Sequence, residues 1–325
     1  MSWPHTAFDI MGQSALFDAW VGKLNGQDIK MPVGNAGDPL ATLGTVPTEP
    51  YQLGDRRMSI AGLLLYAARN VTDLLWRRHE NRMVCIPGSF ITELRQRAIK
   101  ELESRNVATG NSERPWVSEG DVLCAWWTRV AISSLPMHPE TTVLLNNAFS
   151  LRKRLENDLL PASQPYLSNA VGFINVLMSV GEILQNPVSH LAAHIRRCIN
   201  EHGTRSQVEA FTAMIRETKS RLPPFFGNSG MHMITYSNWT KAKLYDVDFS
   251  SAVVTSSTAN GDSKRFGRPS YTQNSQMGVS VPNAFPIMGK DLDGNYWLSG
   301  FMTQGTWAKL EAILAKEAVE AMRST

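Results

Sequence analysis

His5 and Asp9 stand four residues apart in HTAFD at the start of the chain. A neutral imidazole titrates close to working pH and can take a proton from a hydroxyl or amine as that group attacks a carbonyl. Asp9 has a second use. It precedes Ile10, Phe17, Trp20, Val21 and Leu24 at helical spacing, so its carboxylate is placed to cap the first turn of a helix that ends near Asn25-Gly26. As a cap it would face the backbone and not the imidazole. The plainer alternative is a loop histidine beside a capping aspartate, and a short motif alone does not choose between them.

Other residue types capable of chemistry lead less far. His190 and His194 are four apart in SHLAAHIRRC, which is metal-ligand spacing, but the glutamate of HExxH is missing and a helix-surface pair explains them. His232 reads as an ordinary strand position. Asp291-Leu292-Asp293-Gly294 resembles the start of a calcium loop without its closing glutamate, so a hairpin turn is expected. Arg196, Arg197, Arg205, Lys219 and Arg221 could meet phosphates, though a solvated helix face is the commoner explanation. The three cysteines, Cys85, Cys124 and Cys198, suit neither a disulfide framework nor a zinc knuckle, and a reducing, cytoplasmic setting is expected.

The elements that must position these groups follow from composition and pattern. The 325 residues are 43% hydrophobic and 19% charged, enough to bury one large core or two ordinary ones. A net charge of +3, with basic residues scattered among acids, argues against a nucleic-acid groove. No segment has the apolar length of a membrane span. From Gly26 to Gly54 the chain carries Pro32, Gly34, Gly37, Pro39, Gly44, Pro47 and Pro50, which predicts an extended linker and a domain boundary. Helices are expected near 58–78, 89–104, 188–201, 205–220 and 303–322, with another after the acidic capping box Ser118/Asp121. Strands are expected near 83–86, 142–151, 171–180, 231–237, 252–256, 277–282 and 295–301, and a mobile loop over 256–276.

Several separated segments together resemble the BAHD acyltransferases of plants and their fungal relatives. HTAFDIMG matches their HxxxD motif followed by glycine, and WVSEGDVLCAWWTRV at 116–130 resembles "SxxDVLxAWxWR". FSLRKRLENDLLPASQPYLSNAV at 149–171 resembles a strand ending in arginine followed by "YFGN", and YSNWTKAKLYDVDFSSA at 236–252 resembles a Ser-Trp step leading to "DFGWG". The chain departs from the pattern in the second and third glycine-bearing motifs, which read Tyr166-Leu167-Ser168-Asn169 and Asp248-Phe249-Ser250-Ser251-Ala252 here. The family also places several strands of its first domain before HxxxD, so a first domain lacking its N-terminal part is expected.

That resemblance implies an α/β, chloramphenicol-acetyltransferase-like two-domain fold, whose second domain has a mixed sheet and flanking helices. Residues 1–25 would be a remnant of the first domain, 26–57 the crossover, and 58–325 the second domain. It implies acyl transfer from acyl-CoA, a co-substrate and not a resident cofactor, to a hydroxyl of a hydrophobic secondary metabolite. His5 would be the general base. Asp9, Arg152 and Asp248 would support the site structurally, while Gly12, Trp239 and Asn169 would lie toward substrate or coenzyme A. No metal is needed. The alternative is a catalytically inactive remnant that binds coenzyme A or a metabolite, and a second chain supplying further strands is an open partner. A condensation-domain reading is disfavoured, because that superfamily places a second histidine before the catalytic one and Trp3-Pro4 stand here.

Overall fold

The computed structural model describes residues 5–29, 37–110, 112, 114–160, 162, 164–218, 221–254, 266–274 and 281–323, with side chains up to Lys316. The central element is α4 (Glu119–Ser133). Ser118 and Asp121 form a reciprocal capping box at its start, and Arg196 binds the Asp121 carboxylate at 2.6 Å and Ser118 Oγ at 3.0 Å. Since the helix is apolar on nearly every side, it must be covered on every side. Trp127 is fully buried and meets Phe285 and Trp307. Its one interior hydroxyl, Thr128 Oγ1, is paired with Tyr236 Oη at 2.7 Å, so the polar atom costs little.

A six-stranded mixed sheet receives this helix. Its strands are β1 (His79–Ile86), β2 (Thr142–Ser150), β3 (Val171–Ser179), β4 (His232–Asn238), β5 (Ala284–Lys290) and β6 (Tyr296–Thr303), in the order β1-β6-β5-β4-β2-β3. The β2–β4 and β4–β5 pairs are parallel and the other three antiparallel. Period-two alternation covers both faces. Val143, Leu145, Ile174 and Val176 join the main core with α3 (Gly88–Thr109), α4, α7 (Val188–His202) and α9 (Gln304–Arg323). Leu144, Phe173 and Leu177 point the other way, toward Tyr66 of α2 (Ile60–Trp76) and Phe211 of α8 (Arg205–Glu217).

Residues 37–57 form no regular element beyond a 3-10 turn at Gly54–Arg56, as their proline and glycine content requires. They are nonetheless pinned to α8: Gly44 and Val46 amides donate to Glu209, and Arg216 donates to the carbonyls of Leu43 and Ala41. Helix α1 (Ile10–Leu24) precedes these residues and pairs with none of the strands. Helix α2 buries only Tyr66; Ile60, Leu64 and Leu75 along one stripe are solvent-facing.

Two expectations need correction. The strand expected at 252–256 is instead a 3-10 turn at Ser250–Ala252, because Asp248 Oδ1 accepts the Ser250 amide and curls the chain; residues 255 and 256 lie outside those described. The strand expected at 277–282 is not there in its described part, since residues 281–283 lead in through a turn and β5 begins only at Ala284. Pro286 hides that strand from sequence reading, and it is tolerated next to an irregular register between Ile287 and Gly289. The loop expected at 256–276 falls mostly outside the described residues. Short helices α5 (Arg152–Leu155) and α6 (Val180–Gln185) carry no long-period pattern and are additional to those expected.

Candidate active site

Asp9 is the N-cap of α1, and its Oδ1 accepts the amides of Met11 and Gly12, both at 3.0 Å. The same carboxylate is 2% exposed and meets a bidentate guanidinium: Arg152 Nη1 lies 2.8 Å from Oδ2 and Nη2 2.8 Å from Oδ1. The Ala170 amide adds a fifth donor to Oδ2 at 2.9 Å. Burial by itself would raise the Asp9 pKa. The Arg152 bond, the Ala170 and Gly12 amides and the Arg152 charge outweigh it and hold the carboxyl below its ordinary value.

Arg152 reaches past Asp9. Its Nε donates to the Tyr166 carbonyl at 3.1 Å and its Nη2 to that of Ser168 at 2.8 Å, so one planar side chain organises both motifs. Gly12 presses against the segment thus held. A Cβ at that position would come to 1.9 Å from the Leu167 carbonyl oxygen, so the glycine after HxxxD is needed for packing. Asn169 donates through Nδ2 to the His5 carbonyl at 2.8 Å. His5 itself is exposed. No residue from 166 to 170 has a positive φ, so the glycine absent from YLSN is not required here.

The remaining two candidates, Trp239 and Asp248, lie in segments whose neighbouring residues contact α1. Trp239 follows β4 and opens a 3-10 turn whose Ala242 carbonyl accepts Ser14 Oγ at 2.9 Å. The indole N–H of Trp239 is already donated to Ser237 Oγ at 2.8 Å. Asp248 accepts the Ser250 amide at 2.9 Å and pairs with Arg268 at 3.2 Å. The bonds from Ser250, ahead of the Arg268 contact, keep its pKa below the ordinary value. Phe249, next in the chain, sets its ring edge-on to Phe17 and Trp20 of α1, and Ser251 donates to Asn25 at the helix C-cap. The turn at Asp248–Ser250 is permitted here by a glycine outside the motif. Gly267, at φ +74°, receives the Phe249 amide on its carbonyl, and a Cβ there would be 2.3 Å from the Ser250 nitrogen.

The structure therefore gathers His5, Asp9, Gly12, Arg152 and Asn169 at the start of α1, and sets the segments that carry Trp239 and Asp248 against α1 through Ala242, Phe249 and Ser251. Sequence reading missed Arg268 and the backbone groups of Tyr166, Ser168 and Ala170. Backbone donors and acceptors carry no residue-type signal, and Arg268 lies in a polar stretch without periodicity. Among the described residues no three His, Cys, Asp or Glu side chains converge in a way that could hold a metal ion.

A model of the transferase family matches residues 66–282, two thirds of the chain. The chain belongs to that family, the BAHD-type acyltransferases. The matched stretch includes Arg152, Asn169, Trp239 and Asp248. The transcriptional regulator calD of Penicillium decumbens is 36% identical over 330 residues, which cover 98% of this chain and 66% of that protein. The acetyltransferase adrJ of Penicillium rubens is 34% identical (96% of this chain, 64% of that one), and the acetyltransferase sphE of Aspergillus fumigatus 35% (96% and 63%). This BAHD-type chain thus spans about two thirds of the length of these relatives. Among solved structures it is similar to F. graminearum TRI101 complexed with coenzyme A and T-2 mycotoxin, with a TM-score of 0.68 at 15% identity over 94% of this chain and 62% of that one. Vinorine synthase gives a TM-score of 0.56 at 14% identity, over 94% and 59%. The fold expected from the motifs, α/β with a mixed sheet and flanking helices, is the one found.

Proposed function

We propose that the protein transfers an acyl group from acyl-CoA to a hydroxyl of a hydrophobic secondary metabolite, with His5 as general base. The observation that carries this reading is the five-donor anchoring of Asp9, which ties the HxxxD loop to the Arg152 and Tyr166–Ala170 segments. In the step proposed, the imidazole of His5 takes the hydroxyl proton as the acceptor oxygen bonds to the thioester carbonyl carbon. The resulting tetrahedral intermediate expels the coenzyme A thiolate, which receives that proton from the imidazolium. The oxyanion would need a donor other than the Trp239 indole, whose hydrogen is engaged by Ser237. The name acetyltransferase borne by adrJ and sphE, and the coenzyme A held by TRI101, support an acyl-CoA donor. In the same reading residues 1–25 carry the first-domain motif, 26–57 the crossover and 58–325 the second domain. Three free thiols accord with a cytoplasmic setting.

The test is release of free coenzyme A from acetyl-CoA in the presence of hydrophobic alcohols, compared between the wild type and His5→Ala. Acceptor-dependent release that disappears in the variant is expected. Release untouched by the substitution would refute His5 as the base. A second reading, a non-catalytic binding module, draws on the exposure of His5, whose backbone carbonyl is held while its ring faces solvent. It predicts a coenzyme A-dependent rise in Tm that His5→Ala leaves intact, without turnover in either protein.

A further inference from the structure

Helix α2 is attached to the body along one narrow line. Tyr66, its only buried residue, meets Phe225 and packs with Leu144 and Met231. At 3.6 residues per turn, Ile60, Val71, Leu64, Leu75, Leu65 and Trp76 share the opposite side, an arc of about 160°. Each of them is between 51% and 80% exposed. The other three positions in that arc are Ala61, Ala68 and Thr72, and the Thr72 hydroxyl is already donated to the Arg69 carbonyl at 2.7 Å. The charged groups of the helix stand outside the arc: Arg69 donates to the Gly230 carbonyl at 3.0 Å, and Asp73 pairs with Arg77. The polarity of α2 is thus the reverse of a solvated surface helix, and a contiguous apolar face of this kind marks an interaction site.

Its width and its borders say what covers it. A seam against one partner helix is a narrow stripe, whereas an arc this wide, running about 25 Å, fits a planar apolar phase. The ends of the arc are cationic. Residues 55–78 hold five arginines and two aspartates, so they carry the whole of the chain's formal net charge of +3. Arg57 and Arg77 are paired with Glu217 and Asp73. Arg56 before the helix and Arg78 after it are exposed, and neither has an acidic partner among the described residues. Trp76, at the same end as Arg78, is a residue type that settles at the level of lipid headgroups. We infer that α2 docks in the plane of an anionic phospholipid bilayer, with its apolar arc in the acyl boundary and Arg56 and Arg78 on headgroup phosphates. With Arg69, Asn70 and Asp73 among its 17 residues, the helix is too short and too polar to cross one. Docking of this kind needs no particular role for His5, and it brings the chain to the phase in which hydrophobic alcohols gather.

The experiment is flotation of the full chain with vesicles of phosphatidylcholine and phosphatidylserine, with phosphatidylcholine alone as reference. The wild type should float with the mixed vesicles, and high salt should weaken the binding. Leu64→Glu with Leu75→Glu should lower partitioning at least ~100-fold, because two side chains that leave water on docking are lost. Both positions already face solvent, so Tm and far-UV circular dichroism should not change, which separates lost docking from lost folding. Arg56→Gln with Arg78→Gln leaves the apolar arc intact and should lower binding about 20- to 30-fold at low salt, at roughly fivefold for each arginine. A wild type that stays out of the floating fraction at every lipid concentration tested overturns the inference, as does flotation indifferent to the leucine pair. Equal binding to neutral and anionic vesicles, unchanged in the arginine variant, overturns it too, since the cationic borders would then select nothing. A concentration-dependent dimer in sedimentation velocity that the leucine pair dissociates, without flotation, assigns the face to a second copy and refutes the bilayer.

Discussion

Replacing Asp9 by asparagine is the sharpest test of how the site is held. The change keeps size and shape and removes one negative charge. In the wild type Oδ1 accepts from Met11, Gly12 and Arg152 Nη2, and Oδ2 from Ala170 and Arg152 Nη1. Whichever way the new amide turns, its NH2 faces donors, so at least two bonds are replaced by donor–donor contacts. Arg152, whose side chain is 18% exposed, is left without its counter-ion. Breaking one partner of a buried pair costs about 3–5 kcal/mol, and the damaged N-cap lies within that figure. Over 325 residues, with ~2.1 cal/mol/K per residue of unfolding entropy, each kcal/mol corresponds to about 1.5 °C in Tm. A drop of about 5–7 °C is therefore expected by calorimetry. In a double-mutant cycle with Arg152→Met the coupling should reach at least about 2 kcal/mol. A loss below about 1 kcal/mol, or additivity within the cycle, would refute the account of Asp9 as the node joining both motifs. The pH dependence has a definite sign: a depressed carboxyl pKa stabilises the fold above 3.8, and that contribution vanishes as pH falls through the lower native value. Asp9→Asn should lack that acid-side loss.

Other outcomes follow from particular contacts. Gly12→Ala should destabilise by about 2 kcal/mol or more in urea titrations despite alanine's better helix propensity, because its methyl meets backbone and not a yielding side chain. Burial, helped by Arg197 beside His194 and by Arg69 beside His232, pushes both imidazoles down to about 4. The unfolded chain therefore binds more protons below pH 6.5, and stability should decline as pH falls from there toward 4, by up to about 3 kcal/mol for each group. His194→Gln and His232→Gln should flatten that slope when urea midpoints are measured across the range. Ile60→Lys combined with Leu64→Glu should change stability by less than about 0.5 kcal/mol while lowering dye binding to exposed apolar surface, since both side chains already face solvent.

Much of this architecture is legible in the amino-acid sequence, for reasons that particular residues make clear. Ser118 and Asp121 announce α4 because a capping box is local chemistry, and the apolar run behind them announces its burial. Thr142–Ser150 and Val171–Ser179 are recognisable from alternation bounded by turn formers. β5 escapes because Pro286 and Gly289 are breakers by type, and only their place beside an irregular register makes them tolerable. At the site, His5 and Asp9 are visible as a spaced pair, and Arg152 through its motif. The segment that joins them works through carbonyls and amides of Tyr166, Leu167, Ser168 and Ala170, and main-chain groups look alike at every position. The role of Gly267 was equally hidden, because the turn it permits belongs to residues 248–250, far away in sequence.

The sheet's outermost pairing has a bearing on how the chain is made. β1 lies beside β6 in a continuous antiparallel register from His79 opposite Thr303 to Ile86 opposite Tyr296. During synthesis β1 leaves the ribosome ~200 residues before β6, its only strand neighbour among the described residues, exists, a wait of roughly 10–40 s at ordinary elongation rates. Throughout that interval its backbone groups on the pairing side are open to any other extended chain. Its assembly is governed by closure of the largest loop in the sheet, so the nascent protein should depend on chaperone protection until the final helix emerges, and shortening the C-terminus should cost yield in the cell far more than it costs contacts in the folded molecule.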